Sequence, residues 1–437
     1  MTSPPLPSTA ATSPSPLQGF TLDNGLTVYL REDHRAPLVS AQLWYHVGSS
    51  YEPLGNSGLS HLLEHLMFAG SSKLAQGHYS KLITLLGGEP NAFTSEDATY
   101  FPVTLPASRL EIVLEAMADA METAHFDSET FNRELQVVLA ERRISDDQTP
   151  LDIALERHTR MAHGSSPYAA PIIGIPADLT ALTAEAARDW YLRWYQPNNA
   201  TLVVVGDIDL LRLRAYVERH FASIAWSSLP AIERPLAPAE LAPRSQTVAL
   251  PGMRPGLIMS FNTPSQATAA DELHSCALRL IPGLMMNGAS SRLYQRLING
   301  RQLLQAMRAS YEHVMRGDSL LSFYMFSNPA QGTPEQAGEA VWAELQALAQ
   351  SAPSEVELKR AKARLLASLV FDRDRISEQA DVIGRFAASG LDPTFLDREQ
   401  HAVEQVSAED IRHAASTYLT RERLSITYML AGDTTHD

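Results

Sequence analysis

The stretch His61-Leu62-Leu63-Glu64-His65 decides how this chain is read. In a helix of 3.6 residues per turn, His61 and His65 project from one face about one turn apart, and Glu64 lies on the same side within roughly 60° of His61. Two imidazoles so placed can grip one ion, and Zn²⁺ suits neutral imidazoles combined with carboxylates. Zinc held in that way lowers the pKa of its bound water from about 15.7 toward about 7, and Glu64 is positioned to take the proton. Leu59, Leu62, Leu63, Leu66 and Met67 form the opposite, apolar stripe. The segment therefore predicts an amphipathic helix of about three turns, with Gly58 and Ser60 at its start and Gly70 beyond its end. A polar face opposite a core stripe is ordinarily just solvated, so the motif needs a third protein ligand before it becomes a metal site.

Candidates stand on the next strongly patterned segment. Asp127 or Ser128 can cap a helix running to about Ile144, with Phe131, Leu135, Val138 and Leu139 as its buried stripe. Glu134 and Glu141 share an edge of that stripe to within about 20° and stand roughly 10 Å apart along the axis. Only one of them can reach a single ion, which leaves the other to orient a ligand or the substrate. Without further context the two are ordinary boundary carboxylates.

The order His-x-x-Glu-His, inverted relative to His-Glu-x-x-His and followed about 75 residues later by Glu134 and Glu141, resembles the inverzincin zinc metallopeptidases. These are pitrilysin, insulin-degrading enzyme and the mitochondrial processing peptidase. Further matches are Asn24-Gly25-Leu26 with Val28, Gly48-Ser49-Ser50, Gly58-Leu59-Ser60 leading into Leu66-Met67-Phe68 and Gly70, and Asn91-Ala92-Phe93-Thr94 with Thr99-Tyr100. The resemblance implies that His61, His65 and Glu141 bind one zinc per chain, that Glu64 is the general base, and that Glu134 supports the catalytic site. It also implies that Asn91, Ala92 and Phe93 contact the peptide, on a strand that pairs with substrate backbone.

Length and composition agree with an enzyme of that kind. A chain of 437 residues is too long for one ordinary core. Its 45% hydrophobic and 19% charged residues are those of a globular protein. No apolar run approaches the roughly 20 residues needed to span a bilayer. The single cysteine, Cys276, excludes an internal disulfide and a Cys-rich metal site. A net charge of −15 argues against nucleic acid as a main partner, because a phosphate backbone requires a basic surface.

Residues 1–17 form a Ser/Pro/Thr/Ala tract without hydrophobic periodicity and are expected to be a flexible tail. The tract lacks the basic start and apolar core of a signal peptide. Such tracts often follow a removed signal, so a soluble periplasmic protein is expected ahead of a cytoplasmic one. Pro230, Pro235, Pro238 and Pro243 punctuate a second stretch, from Ser227 to Arg244, that separates two patterned regions. The expected organisation is thus an N-terminal zinc-binding domain at 18–228, a linker at 229–244 and a related C-terminal domain at 245–437.

The chain repeats itself across that linker. Thr183-Ala184-Glu185 with Arg188 recurs as Ser407-Ala408-Glu409 with Arg412, each at a helix start, and Leu202 to Asp207 recurs as Ile426 to Leu430 followed by Gly432-Asp433. The predicted fold class is α+β, two similar α/β sandwich domains arising by duplication, which the resemblance identifies with half of a clamshell. An offset of about 225 carries the motif helix onto Leu284–Leu297 and Glu141 into a helix around Glu355–Leu369, and neither region holds a matching metal set.

The second half also departs from self-sufficient relatives. Gly288-Ala289-Ser290-Ser291-Arg292-Leu293 resembles the start of a segment that continues in them to an Arg and, seven residues later, a Tyr, both assisting the substrate carbonyl. Such donors stabilise charge that develops in the transition state. Here the two positions align with Ile298 and Gln305, and Arg296, Arg301, Arg308 and Tyr311 nearby do not reproduce the spacing. The expectation is a heterodimer: this chain brings zinc, a homologous partner subunit supplies the Arg/Tyr pair, and short or unfolded peptides are cut in an enclosed chamber. The competing class is a non-catalytic assembly subunit of the same fold, whose motifs are typically damaged. A metal-storage or sensing site is a third, and it has no need of Glu64.

Overall fold

The computed structural model describes residues 15–146, 149–231 and 241–432. Most of the expected tail at 1–17 and the middle of the expected linker at 229–244 lie outside the described residues. The first sheet contains β1 (Gln18–Thr21), β2 (Thr27–Glu32), β3 (Leu38–Tyr45), β4 (Phe93–Thr94), β5 (Thr99–Pro106) and β6 (Ala200–Gly206). The second contains β7 (Arg244–Leu250), β8 (Gly256–Thr263), β9 (Leu304–Tyr311), β10 (Ser319–Ser327) and β11 (Leu424–Ala431). Helices of the first half are α1 (Leu59–Leu66), α2 (His78–Leu85), α3 (Leu110–Thr123), α4 (Ser128–Asp146), α5 (Pro150–His163), α6 (Pro176–Ala181), α7 (Ala184–Trp194) and α8 (Leu210–Phe221). Those of the second are α9 (Glu272–Met285), α10 (Pro334–Gln350), α11 (Glu355–Asp372), α12 (Ile376–Ala388), α13 (Glu399–Gln405) and α14 (Ala408–Tyr418).

Strand order is β1-β2-β6-β3-β5-β4 in the first sheet and β7-β11-β8-β10-β9 in the second. Each sheet has one parallel pair, β2 with β6 and β7 with β11, and antiparallel neighbours elsewhere. The fold is therefore α+β, built from two sheets that share a five-strand order, with β1 added at the edge of the first. Thr183 caps α7 and Ser407 caps α14 with their hydroxyls, the paired helix starts that open the sequence repeat.

Topology corrects one part of the repeat register. The helix after β8, in the place that α1 holds after β3, is α9; it packs on α11 and α14 as α1 packs on α4 and α7. The counterpart of the motif helix is thus Glu272–Met285, not Leu284–Leu297, because the loop from β8 to α9 is shorter than that from β3 to α1. Counting from the N-caps Asp127 and Ser354, the positions of Glu134 and Glu141 are filled by Ala361 and Ser368, neither of which is a zinc ligand.

The halves are joined by exchanged helices. α5 of the first half lies on β7, β8 and β11, and α12 of the second half lies on β3 and β6. Covered on both faces, β3 and β6 lose the exposed alternation of a half-solvated strand, and β6 is buried along its whole length. Under α12, a Cβ on Gly384 would come within 2.1 Å of the Trp44 ring, so glycine is needed for the close approach. Trp44 stacks on Tyr100 at 3.7 Å, and the Tyr100 hydroxyl donates to Asp381 Oδ1 of α12 at 2.8 Å. Under α5, His158 is bonded through Nδ1 to Thr427 Oγ1 at 2.8 Å and through Nε2 to Ser260 Oγ at 2.7 Å.

Candidate metal centre and peptide edge

Two helices bring the motif residues together. α1 spans eight residues rather than about three full turns, because i to i−3 bonds from Phe68 and Ala69 carry the chain out of the helix. Leu59, Leu62, Leu63 and Leu66 sink into the first core and leave His61, Glu64 and His65 on the other side. Asp127 caps the second helix, its Oδ1 accepting from the Thr130 amide at 2.8 Å. Phe131, Leu135 and Val138 are buried beneath α4, which points Glu134 and Glu141 at α1.

Glu141 Oε2 lies 3.9 Å from His61 Nε2 and 3.7 Å from His65 Nε2. The three residues offer ligand atoms that all fall within 4.8 Å of one another. Donors around a tetrahedral zinc at about 2.1 Å stand about 3.4 Å apart, so this set fits the ion with small side-chain adjustments. The two rings are 5.0 Å apart and steeply inclined, and half of the Glu141 side chain is open to solvent, which leaves room for a further ligand. Burial holds His61 down to about 4, with His65 as a smaller cause, so at neutral pH its ring is the neutral form that a metal requires. Glu134 Oε2 sits 3.9 Å from His65 Nδ1, on the ring's other nitrogen, where a carboxylate orients a ligating imidazole.

Glu64 accepts a hydrogen bond from Thr94 Oγ1 on β4 at 2.6 Å. Burial lifts its carboxyl to about 7; Thr94 opposes that rise and the nearby Glu141 adds to it. A carboxylate poised there can exchange a proton at physiological pH. Thr94 belongs to the strand already legible in the sequence, but nothing periodic relates it to α1, so this contact has no sequence signal.

Glu52 was missed altogether. Its Oε2 accepts from the Gly58 amide at 2.8 Å and its Oε1 from the Ser60 amide at 2.6 Å, so it caps α1 from outside the usual capping position. Burial pushes Glu52 up to about 8 against the pull of those amides. Gly58 sits at φ +89°, where a Cβ would meet Ile173 O and Leu179 Cδ2 at 2.7 Å. The helix start is thus pressed against the segment before α6.

The expected peptide contacts lie beside these groups. Among the described residues β4 pairs only with β5, Phe93 with Tyr100 and Thr94 with Thr99, and no strand lies on its outer edge. Asn91 and Ala92 border a groove of about 410 Å³ together with Glu64, His65, Phe68 and Glu134. Phe93 is partly exposed and packs on Tyr100 at 5.2 Å. Ile298 and Gln305 are held elsewhere: Ile298 packs on the second core from a π-helical turn, and Gln305 lies on β9.

Residues 27–174 match the family description "Insulinase (Peptidase family M16)", and residues 181–365 match "Peptidase M16 inactive domain". The chain belongs to peptidase family M16. Zinc protease PqqE of Helicobacter pylori is 27% identical to this M16 chain over 376 residues, 85% of the chain and 80% of that protein. Mitochondrial-processing peptidase subunit beta of Lentinula edodes is 25% identical over 415 residues, 91% of the chain and 86% of that protein. A protease structure from Helicobacter pylori superposes with a TM-score of 0.85 at 24% identity, covering 95% of this chain and 99% of that one. The periplasmic protease PqqL of Escherichia coli gives 0.79 at 20% identity over 95% of this chain and 47% of its own, so this M16 fold corresponds to half of that molecule. Among the described residues no helix is long and apolar enough to cross a membrane.

Proposed function

We propose that the chain is the zinc-bearing catalytic subunit of a heterodimeric endopeptidase that cleaves short or unfolded peptides. The observation that carries this reading is the convergence of Glu141 with both imidazoles, with Glu64 alongside on a hydrogen bond from Thr94. His61, His65 and Glu141 would hold zinc, which when bound polarises a peptide carbonyl and acidifies a water. Glu64 takes the proton and delivers it to the leaving amine. Glu134 fixes the His65 ring through Nδ1. The free edge of β4 receives an extended peptide as an added strand, which excludes folded segments whose backbone bonds are already satisfied. Ile298 carries no donor and Gln305 lies on β9 with its side-chain amide directed at Asn328, so the task of donating to a developing oxyanion is assigned to a homologous partner.

Purified chain is expected to hold about one zinc, lost in His65→Ala and in Glu141→Ala, by metal analysis. Glu64→Gln keeps the metal and loses turnover; a full rate from that variant assigns the base elsewhere. Assay on an unstructured peptide with and without the partner tests the division of labour. Strong chelator-sensitive cleavage by the chain alone overturns it. The match of residues 181–365 to an inactive-domain description is compatible with a non-catalytic assembly role, but it includes none of His61, Glu64, His65 and Glu141. Failure of the purified chain to take up zinc would favour that second reading.

A further inference from the structure

The turn that joins β4 to β5 is fastened to more of the molecule than a surface hairpin needs. Its Ser95 and Glu96 carbonyls accept from the Ser49 and Ser50 amides at 3.1 and 2.8 Å. A Cβ on Gly48 would lie 2.2 Å from Ser95 O, so the two loops are in backbone contact. At the centre is the buried carboxylate of Asp97. It accepts from Ser50 Oγ at 3.0 Å, and the Tyr168 hydroxyl sits 3.0 and 2.9 Å from its two oxygens.

Among the described residues its one oppositely charged partner comes from the other half of the chain. Arg316, in the loop between β9 and β10, donates its backbone amide to Asp97 Oδ2 at 2.9 Å and its Nε to Oδ1 at 3.2 Å. The guanidinium also reaches Ser50 Oγ at 3.3 Å through Nη2 and lies 3.5 Å from the centre of the Tyr51 ring. Gly317 follows by donating its amide to the Tyr168 hydroxyl at 2.9 Å. Asp97 and Arg316 are both buried, so removing either charge leaves the other uncompensated in a low-dielectric setting, which is costly. Three residues before Asp97 is Thr94, the donor that orients Glu64, and before Thr94 comes the edge assigned to the peptide.

We propose that Arg316 is a positioning residue for the peptidase site: acting from the second half, it locks the β4–β5 turn through Asp97, and so fixes both the Glu64 carboxylate and the strand that receives substrate. The inference rests on the function proposed above, but its test does not require turnover. Hydrogen exchange reads the turn directly, because the Ser95 amide is bonded to Ala98 O and the Ala98 amide to Ser95 Oγ.

In Arg316→Met, exchange at these two amides is expected to rise at least about tenfold while amides of Leu202–Val205 in β6 keep their protection. Zinc content stays that of the parent, and an unstructured peptide binds about tenfold more weakly in a Glu64→Gln background. Arg316→Lys restores part of both effects. Where Arg316→Met does not fold, Tyr168→Phe removes one donor to Asp97 and is expected to loosen the same amides to a smaller degree. Unchanged exchange at Ser95 and Ala98, or an equal rise in β6, overturns the proposal. A parent chain that takes up no zinc while its turn amides respond as described sinks the peptidase reading instead.

Discussion

Thr94 and Glu64 show how one hydroxyl can set the working range of a carboxylate. The bond from Thr94 Oγ1 favours the charged form of Glu64 and opposes the burial that raises it to about 7. Thr94→Val removes that support, so the acid limb of kcat/KM moves to higher pH and the rate at neutral pH falls, by about tenfold or more, while zinc is retained. A pH-rate profile beside metal analysis checks both parts. His61, Glu64, His65, Glu134 and Glu141 were legible because a helical period assigns each to a face; Glu141 lies within 3.9 Å of both imidazoles, Glu134 within 3.9 Å of His65, and Glu64 lines the same groove as His65 and Glu134. Thr94 and Glu52 were not, since their contacts join loops and a strand to α1 at separations that follow no period.

Among elements, α1 is the one most dependent on outside help. Eight residues are too few for an isolated helix to be stable in water, and its start has Gly58 in place of a capping side chain. Glu52 fills that gap by accepting from two of the free amides. Glu52→Ala is expected to cost about 1–3 kcal/mol in chemical denaturation and to weaken zinc binding, as both histidines ride on that helix. Unchanged metal affinity would mean that α4 and the core hold α1 unaided. The strands Leu38–Tyr45, Ala200–Gly206, Gly256–Thr263 and Ser319–Ser327 follow largely apolar runs bounded by turn residues, the sequence signal of buried sheet. A fixed repeat offset misplaced the counterpart of α1, because loops between equivalent elements differ in length.

For the whole molecule, the exchange of α5 and α12 was beyond sequence pattern, since an amphipathic helix does not declare which sheet its buried face will meet. One consequence is measurable in acid. Burial holds His158 down to about 3, and His46 and His163 to about 4, against an ordinary value of 6.5. The unfolded chain takes up protons near 6.5 that the folded chain refuses, so this part of the stability is complete above 6.5 and drains away as pH falls toward 3. Urea midpoints measured between pH 7 and 4.5 are expected to fall, and less steeply in His158→Gln, whose amide does not titrate. A slope identical to the parent's would remove His158 from the acid response.

The traded helices also bear on how such a chain can come apart. With α5 seated on one sheet and α12 on the other, each lobe carries in its own sequence a piece that the opposite lobe needs. Cut between the sheets, the fragments would each bare an apolar socket and a homeless helix, and would hold together by clasping rather than part as two working proteins.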